Sequence, residues 1–188
     1  MAKYKLDQLI VIDVESTCWE GQPPPGEHSE IIEIGVCLLG FRDLTISSPR
    51  SIIVKAKSKV SPFCEKLTTL RQQDVDGGIS FHEACELLRK EYCTYDRTWA
   101  SYGDYDRNQF QRNCREASAM YPFGDSHINI KRLAAIFCGW SEEVGMTEAL
   151  KRLNIKHEGI HHRGGDDARN IAAIIETLFR LFREGAKD

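Results

Sequence analysis

The 188-residue sequence contains no C-x-x-C pair, no excess of basic residues and no internal repeat. It also has no apolar run approaching the ~20 residues that cross a bilayer. Each lack excludes something. Seven cysteines, an odd number without paired spacing, speak against a disulfide framework or a zinc knuckle, so reduced thiols and a cytoplasmic setting are expected. A net charge of −3 argues against a protein that grips long duplex through many phosphates. It leaves room for an enzyme that holds a few nucleotides at a metal site, where the ions supply the positive charge. The opening "MAKYKLDQLIVIDVE" has two lysines, but Asp7 and Asp13 bracket its short apolar segment, so no secretory leader is expected. With 41% hydrophobic and 28% charged residues, the sequence has the composition of one ordinary globular domain, expected over 1–188.

What is present starts with "LIVIDVESTCW". Leu9 to Ile12 form a β-branched, breaker-free run that predicts a buried strand. Side chains alternate along a strand, so Asp13 and Glu15 emerge on one side. Two adjacent carboxylates repel and resist burial, and a divalent cation is the usual compensation. "EIIEIGVCLL" and "SIIVKAK" predict a second and a third strand, and "RTWASYG" another. Between the first two strands lies a Pro- and Gly-rich connection whose three prolines favour an extended segment. "SFHEACELLRKEY" carries a capping box, Ser80 with Glu83, and predicts a helix. Further helices are expected over "DYDRNQFQRNCREA", Ile130–Phe137, Glu143–Leu153 and from about Asp166 to Arg183. This order gives an α/β domain around a mixed sheet.

Helical geometry selects among the later acids. Asp106 shares a face with Phe110 and Cys114, so it points inward. Asp104 aligns with the polar Arg107, Asn108 and Gln111 and suits an N-cap. Asp167 heads the apolar stripe Ile171, Ile174, Leu178, whereas Asp166 aligns with Asn170, Ala173, Thr177 and Arg180. An aspartate heading a buried stripe needs a binding partner, which makes Asp167 the fourth candidate ligand. Upstream lie His161 and His162, separated from it by a glycine pair that lets the chain fold a histidine over the site. An imidazole suits a general base near neutral pH.

Together these residues resemble the DEDDh branch of the 3′→5′ exonucleases: Asp13 and Glu15 in "DVEST", Asp106 in "GDYD", and His162 with Asp167 in "HRGGDD". "CWEG", "SEIIEIG", "SPFCEKLT" and "HHRGGDDARNIA" extend the likeness to the enhanced-RNAi and histone-mRNA 3′-exonuclease group, over nearly the whole chain. "LTTL" stands where "LTGI" is commoner, and no accessory nucleic-acid-binding domain is expected beside the nuclease. The resemblance implies an RNase H-like three-layer fold with a central mixed five-stranded sheet flanked by helices. It implies two Mg²⁺ or Mn²⁺ ions on Asp13, Glu15, Asp106 and Asp167, with Glu15 and His162 catalytic. Ser16 and Thr17 would hold the terminal 3′-OH, and Tyr105 would stack near the terminal base. The expected partners are the 3′ end of single-stranded RNA or DNA and a nucleoside monophosphate product, with no membrane.

Two rival readings of these motifs account for fewer of the residues. "DVEST" and "GGDD" also resemble the acidic motifs of aspartyl-phosphate phosphatases, but Glu15 replaces their second Asp and Asp106 finds no role there. A non-catalytic RNA-binding module of nuclease fold has no need of all five groups. Arg107, Arg112, Arg115, Lys131 and Arg132 are candidates to guide a strand toward the site.

Overall fold

A computed structural model describes residues 5–185. Strands β1 (Lys5–Ser16), β2 (Ile31–Gly40), β3 (Arg50–Ile53), β4 (Arg97–Ser101) and β5 (His127–Asn129) form one sheet in the order β3-β2-β1-β4-β5. The first three pair antiparallel, while β1, β4 and β5 run parallel. This is the expected mixed five-stranded sheet. Helices α1 (Pro62–Thr68), α2 (Gln72–Asp76) and α3 (Phe81–Glu91) precede β4, and α4 (Tyr105–Ala117) follows it. After β5 come α5 (Ile130–Phe137), α6 (Met146–Arg152) and α7 (Gly164–Gly185).

The alternation of β1 divides the molecule into layers. Leu9 and Val11 enter a core shared with Ala168, Ile171, Ile175 and Leu178 of α7. Ile10, Ile12 and Val14 enter the opposite core with Ala84 and Leu88 of α3 and Phe110 of α4. Asp13 and Glu15 share the parity of Leu9 and Val11, so they project toward α7 at the strand's C-terminal end.

Glycine governs how near α7 comes. A Cβ on Gly35 of β2 would lie 1.8 Å from the Gly164 carbonyl oxygen, and one on Gly164 would lie 2.9 Å from the Gly35 nitrogen. Bare backbones therefore meet where α7 crosses the sheet, which brings Asp167, three residues along, beside β1. The expected helix start near Asp166 is two residues late. The glycine pair is not a hinge before the helix; it forms the first turn, because close packing on β2 leaves no room for side chains.

Other boundaries also moved. The predicted third strand ends early, at Ile53, with Val54 forming only an isolated bridge to Ile79. β5 is a three-residue strand the sequence pattern did not reveal. The proline segment closes in a turn, Glu27 N–H donating to the Pro24 carbonyl at 3.0 Å. Ser80 and Glu83 do form the capping box of α3. α6 begins only after Gly145, not at Glu143.

Candidate active site

The parallel ladder of β1 with β4 runs out at Val11–Ala100, so the last residues of β1 have no strand beside them there. An unpaired buried N–H is costly. Asp106, in the first turn of α4, fills the gap: its Oδ1 accepts from Val14 N–H at 2.9 Å. The bond reaches across 92 residues and seats the carboxylate against the end of β1. Asp167 is set by α7 and by the loop before it, its Oδ2 accepting from the His162 backbone N–H at 2.8 Å. These placements gather Asp13, Glu15, Ser16, Tyr105, Asp106, His162 and Asp167 around one cleft of about 300 Å³. Tyr105 stands half-exposed at the cleft, available to a flat ligand.

His162 stands in the left-handed region at φ 64°, where a side chain is strained by ~1–3 kcal/mol. The bond from its N–H to Asp167 helps hold it there. Its Nδ1 lies 3.8 Å from Glu15 Oε1, and one atom from each of Glu15, His162 and Asp167 falls within 4.8 Å of the others.

Two expected contributors differ from expectation. Thr17 does not line the cleft. Its side chain is fully buried, with Oγ1 donating to the His28 carbonyl at 3.2 Å and accepting from Glu30 N–H at 2.9 Å. A register shift between Glu15 and Ser16 ends the regular alternation, and Thr17 is drawn into that loop contact. Ser16 is the opposite case, since its Oγ is buried with no hydrogen-bond partner among the described residues. Asp104 occupies the N-cap position, but its side chain caps nothing. It pairs instead with Arg107 at 2.8 Å and accepts from Asn129 Nδ2 at 3.0 Å. Of the basic residues proposed to guide a strand, Arg107 is thus engaged, Arg112 bonds Gln109, and Arg132 pairs with Glu143 at 2.7 Å.

Sequence reasoning missed the support beneath the site. Glu33 of β2, paired opposite Glu15, is fully buried. Its carboxylate accepts a fork from Arg163 Nε at 3.2 Å and Nη2 at 3.1 Å, and a third bond from Gly164 N–H at 3.0 Å. It therefore holds Arg163, next to His162, and satisfies an orphan donor at the head of α7. The available signal was an acid inside the apolar run "IIEIGVCLL". Asn170, also buried, ties the histidine loop to α7 through both the N–H and the carbonyl of Glu158, at 3.0 and 2.8 Å.

The acids crowd one another. Burial foremost, then the charges of Asp106, Glu15 and Asp167, holds Asp13 well above the usual carboxylate range. Burial with Asp167, Glu33 and Asp106 pushes Glu15 up to about 8, with Arg163 opposing. Burial pushes Asp106 up to about 6 against the pull of the Val14 amide. Such a cleft retains protons at neutral pH unless cations replace them. The residues present fit divalent metal ions: hard oxygen donors, mutually repelling and opening on a cleft.

An exonuclease family model, RNase T, matches residues 10–175. The chain belongs to this exonuclease family. Human 3′-5′ exoribonuclease 1 is 31% identical over 96% of the chain and 54% of its own length. Drosophila melanogaster 3′-5′ exonuclease Snipper is 26% identical over 99% of the chain and 73% of its own length. The chain thus spans about half the length of the exoribonuclease it matches. The crystal structure of the nuclease domain of 3′hExo, a DEDDh family member bound to rAMP, superposes with a TM-score of 0.83. It shares 29% identity, over 98% of this chain and 96% of that one. The fold is accordingly that of the DEDDh exonucleases, a divalent-metal-dependent group.

Proposed function

We propose that this chain is a 3′→5′ exonuclease that hydrolyses the terminal phosphodiester bond of single-stranded nucleic acid, RNA in preference to DNA, and releases nucleoside 5′-monophosphates. The observation that carries the proposal is the convergence of four acids and His162 on one cleft, from β1, α4, α7 and the loop before α7. The names of the matching relatives support RNA as substrate. The seven cysteines, none of them disulfide-bonded, support a reducing, cytoplasmic setting.

Asp13, Glu15, Asp106 and Asp167 would hold two divalent ions, Mg²⁺ or Mn²⁺. Such ions would supply charge neutralisation at the scissile phosphate, a more acidic water and stabilisation of the departing oxygen. The chain's own groups do the rest. His162 is kept neutral because burial and the neighbouring His161 lower its pKa. With Nδ1 turned toward Glu15, its Nε2 takes the proton of the attacking water. Ser16 lines the cleft where the terminal 3′-OH would be held, and Tyr105 stacks on the terminal base. Val14 N–H holds Asp106, and the His162 N–H holds Asp167, in fixed orientations.

Matched 5′-labelled RNA and DNA oligonucleotides, digested with Mg²⁺, test this. Single-nucleotide shortening from the 3′ end, faster on RNA and abolished by EDTA, is expected. Full activity in excess EDTA, or cleavage of a covalently closed circle, overturns the proposal. Faster shortening of DNA reassigns the substrate.

A further inference from the structure

The mechanism uses one imidazole, His162, yet two more face Asp167. His161 Nδ1 lies 3.3 Å from Asp167 Oδ1, and His157 Nε2 lies 3.8 Å from the same oxygen. One donor atom from each of the three residues lies within 4.8 Å of the other two. The two rings meet edge to face with centroids 5.9 Å apart, so neither blocks the other's approach. Around a tetrahedral ion with ligands at ~2.0–2.1 Å, donor atoms stand ~3.3 Å apart. The two histidine-to-Asp167 distances are already near that spacing.

The surroundings also fit a site. The His162 backbone N–H donates to Asp167 Oδ2, which His161 Nδ1 also approaches to 3.1 Å, while Oδ1 lies within reach of both imidazoles. The loop that carries them is pinned: Asn170 grips Glu158, and Asp166 Oδ2 accepts from Ile160 N–H at 2.8 Å. Both histidines remain partly exposed, so an ion can enter and keep a water as its fourth ligand. Two nitrogens and one oxygen are the donors of a borderline-soft ion, not of Mg²⁺, which prefers oxygen and water.

We infer that His157, His161 and Asp167 form a second metal site, selective for Zn²⁺ or a similar transition-metal ion, that shares Asp167 with the carboxylate cleft. An ion held there takes Oδ1 of Asp167 and turns that carboxylate from the cleft. Zinc binding and Mg²⁺ binding therefore oppose each other, and by linkage each weakens the other equally. The expected result is zinc inhibition of turnover, a consequence that rests on the exonuclease reading; the binding itself does not.

Two measurements keep these apart. Zn²⁺ is titrated calorimetrically into the protein at saturating Mg²⁺, and Co²⁺ in its place reports tetrahedral coordination through its visible absorption. The unaltered protein should bind one Zn²⁺ at saturating Mg²⁺, more weakly than without Mg²⁺, and give the tetrahedral Co²⁺ band. His157→Phe keeps the ring and removes the nitrogen. It should weaken zinc at least ~100-fold, since even changes outside the ligand shell commonly cost 10–100-fold. His161→Phe should do the same and serves if the first variant folds poorly. His162→Ala should leave the site in place. Zinc affinity retained in both phenylalanine variants overturns the inference, and its loss in His162→Ala would put the ion in the catalytic cleft. Absence of zinc binding to the unaltered protein both with and without Mg²⁺ overturns it equally. Mg²⁺-supported digestion, assayed in parallel, should tolerate ~100-fold more zinc in His157→Phe, in step with the affinity lost.

Discussion

Replacing Glu15 by Gln should destroy activity yet stabilise the metal-free protein, and the amount follows from the cleft. Folding moves Glu15 from the ordinary 4.5 to about 8, because the carboxylate is buried beside Asp167, Glu33 and Asp106. The folded state then binds this proton more tightly than the unfolded chain. Stability contributed by the neutral acid is complete below pH 4.5 and declines as pH rises toward 8. At pH 7 the loss attributable to Glu15 is about 3 kcal/mol, from ~1.4 kcal/mol per pH unit above its ordinary value. Gln keeps the shape and carries no charge, so Glu15→Gln should recover up to that amount. For a chain of this length that corresponds to a Tm increase of about 6–12 °C. The assay is thermal and urea unfolding in EDTA at intervals from pH 4.5 to 8, repeated with Mn²⁺. The unaltered protein should lose stability with rising pH in EDTA and regain it with Mn²⁺, by ~2.7 kcal/mol at a hundredfold excess over Kd. The variant should show a shallower pH dependence and a smaller gain from Mn²⁺. A metal-free protein equally stable at pH 5 and pH 7.5, or a variant no more stable than its parent at pH 7.5, refutes the reasoning.

Asp106→Asn and Asp167→Asn should each cut turnover and Mn²⁺ affinity together by more than ~10²-fold, whereas Asp104→Asn should stay within ~3-fold because its exposed ion pair contributes little. Asp166→Asn should retain most activity, since the amide oxygen can still accept from Ile160 N–H; Asp166→Ala, which frees the histidine loop, should not. Equal damage from Asp104→Asn and Asp106→Asn would undo the assignment of that pair. His162→Ala should lose ~10²-fold or more in kcat. Because burial and His161 lower the His162 pKa, kcat/KM of the parent should rise with pH through a midpoint below 6.5, measured at saturating Mn²⁺. A midpoint above 7 would contradict that environment. Thr69 ends α1 at φ 63°, a left-handed position that a β-branched residue fills with strain. Thr69→Gly should therefore raise stability by ~0.5–1 kcal/mol after the added freedom of the unfolded chain is deducted, and urea denaturation showing a loss would exclude strain there.

How much of this was legible beforehand depends on the range over which each determinant acts. Asp13 and Glu15 could be paired from sequence because strand periodicity is local and exact to two residues. Asp106 and Asp167 could be separated from Asp104 and Asp166 because helical periodicity sets which neighbour heads an apolar stripe. The motif order added the family resemblance, and with it the five-stranded sheet. What lay beyond local period was decided by the fold. Val14 N–H needed a partner only because β4 stops short of it, and Asp106 meets that need from 92 residues away. Glu33 reads as an acid misplaced in an apolar strand until Arg163 arrives across 130 residues. The removal of Thr17 from the cleft follows from the loop that binds its hydroxyl, and the nearness of Asp167 to β1 follows from Gly35 and Gly164 meeting backbone to backbone. β5, at three residues, is too short for any period to show. Periodicity in a chain determines which way a side chain faces; only the meeting of distant segments determines what it faces.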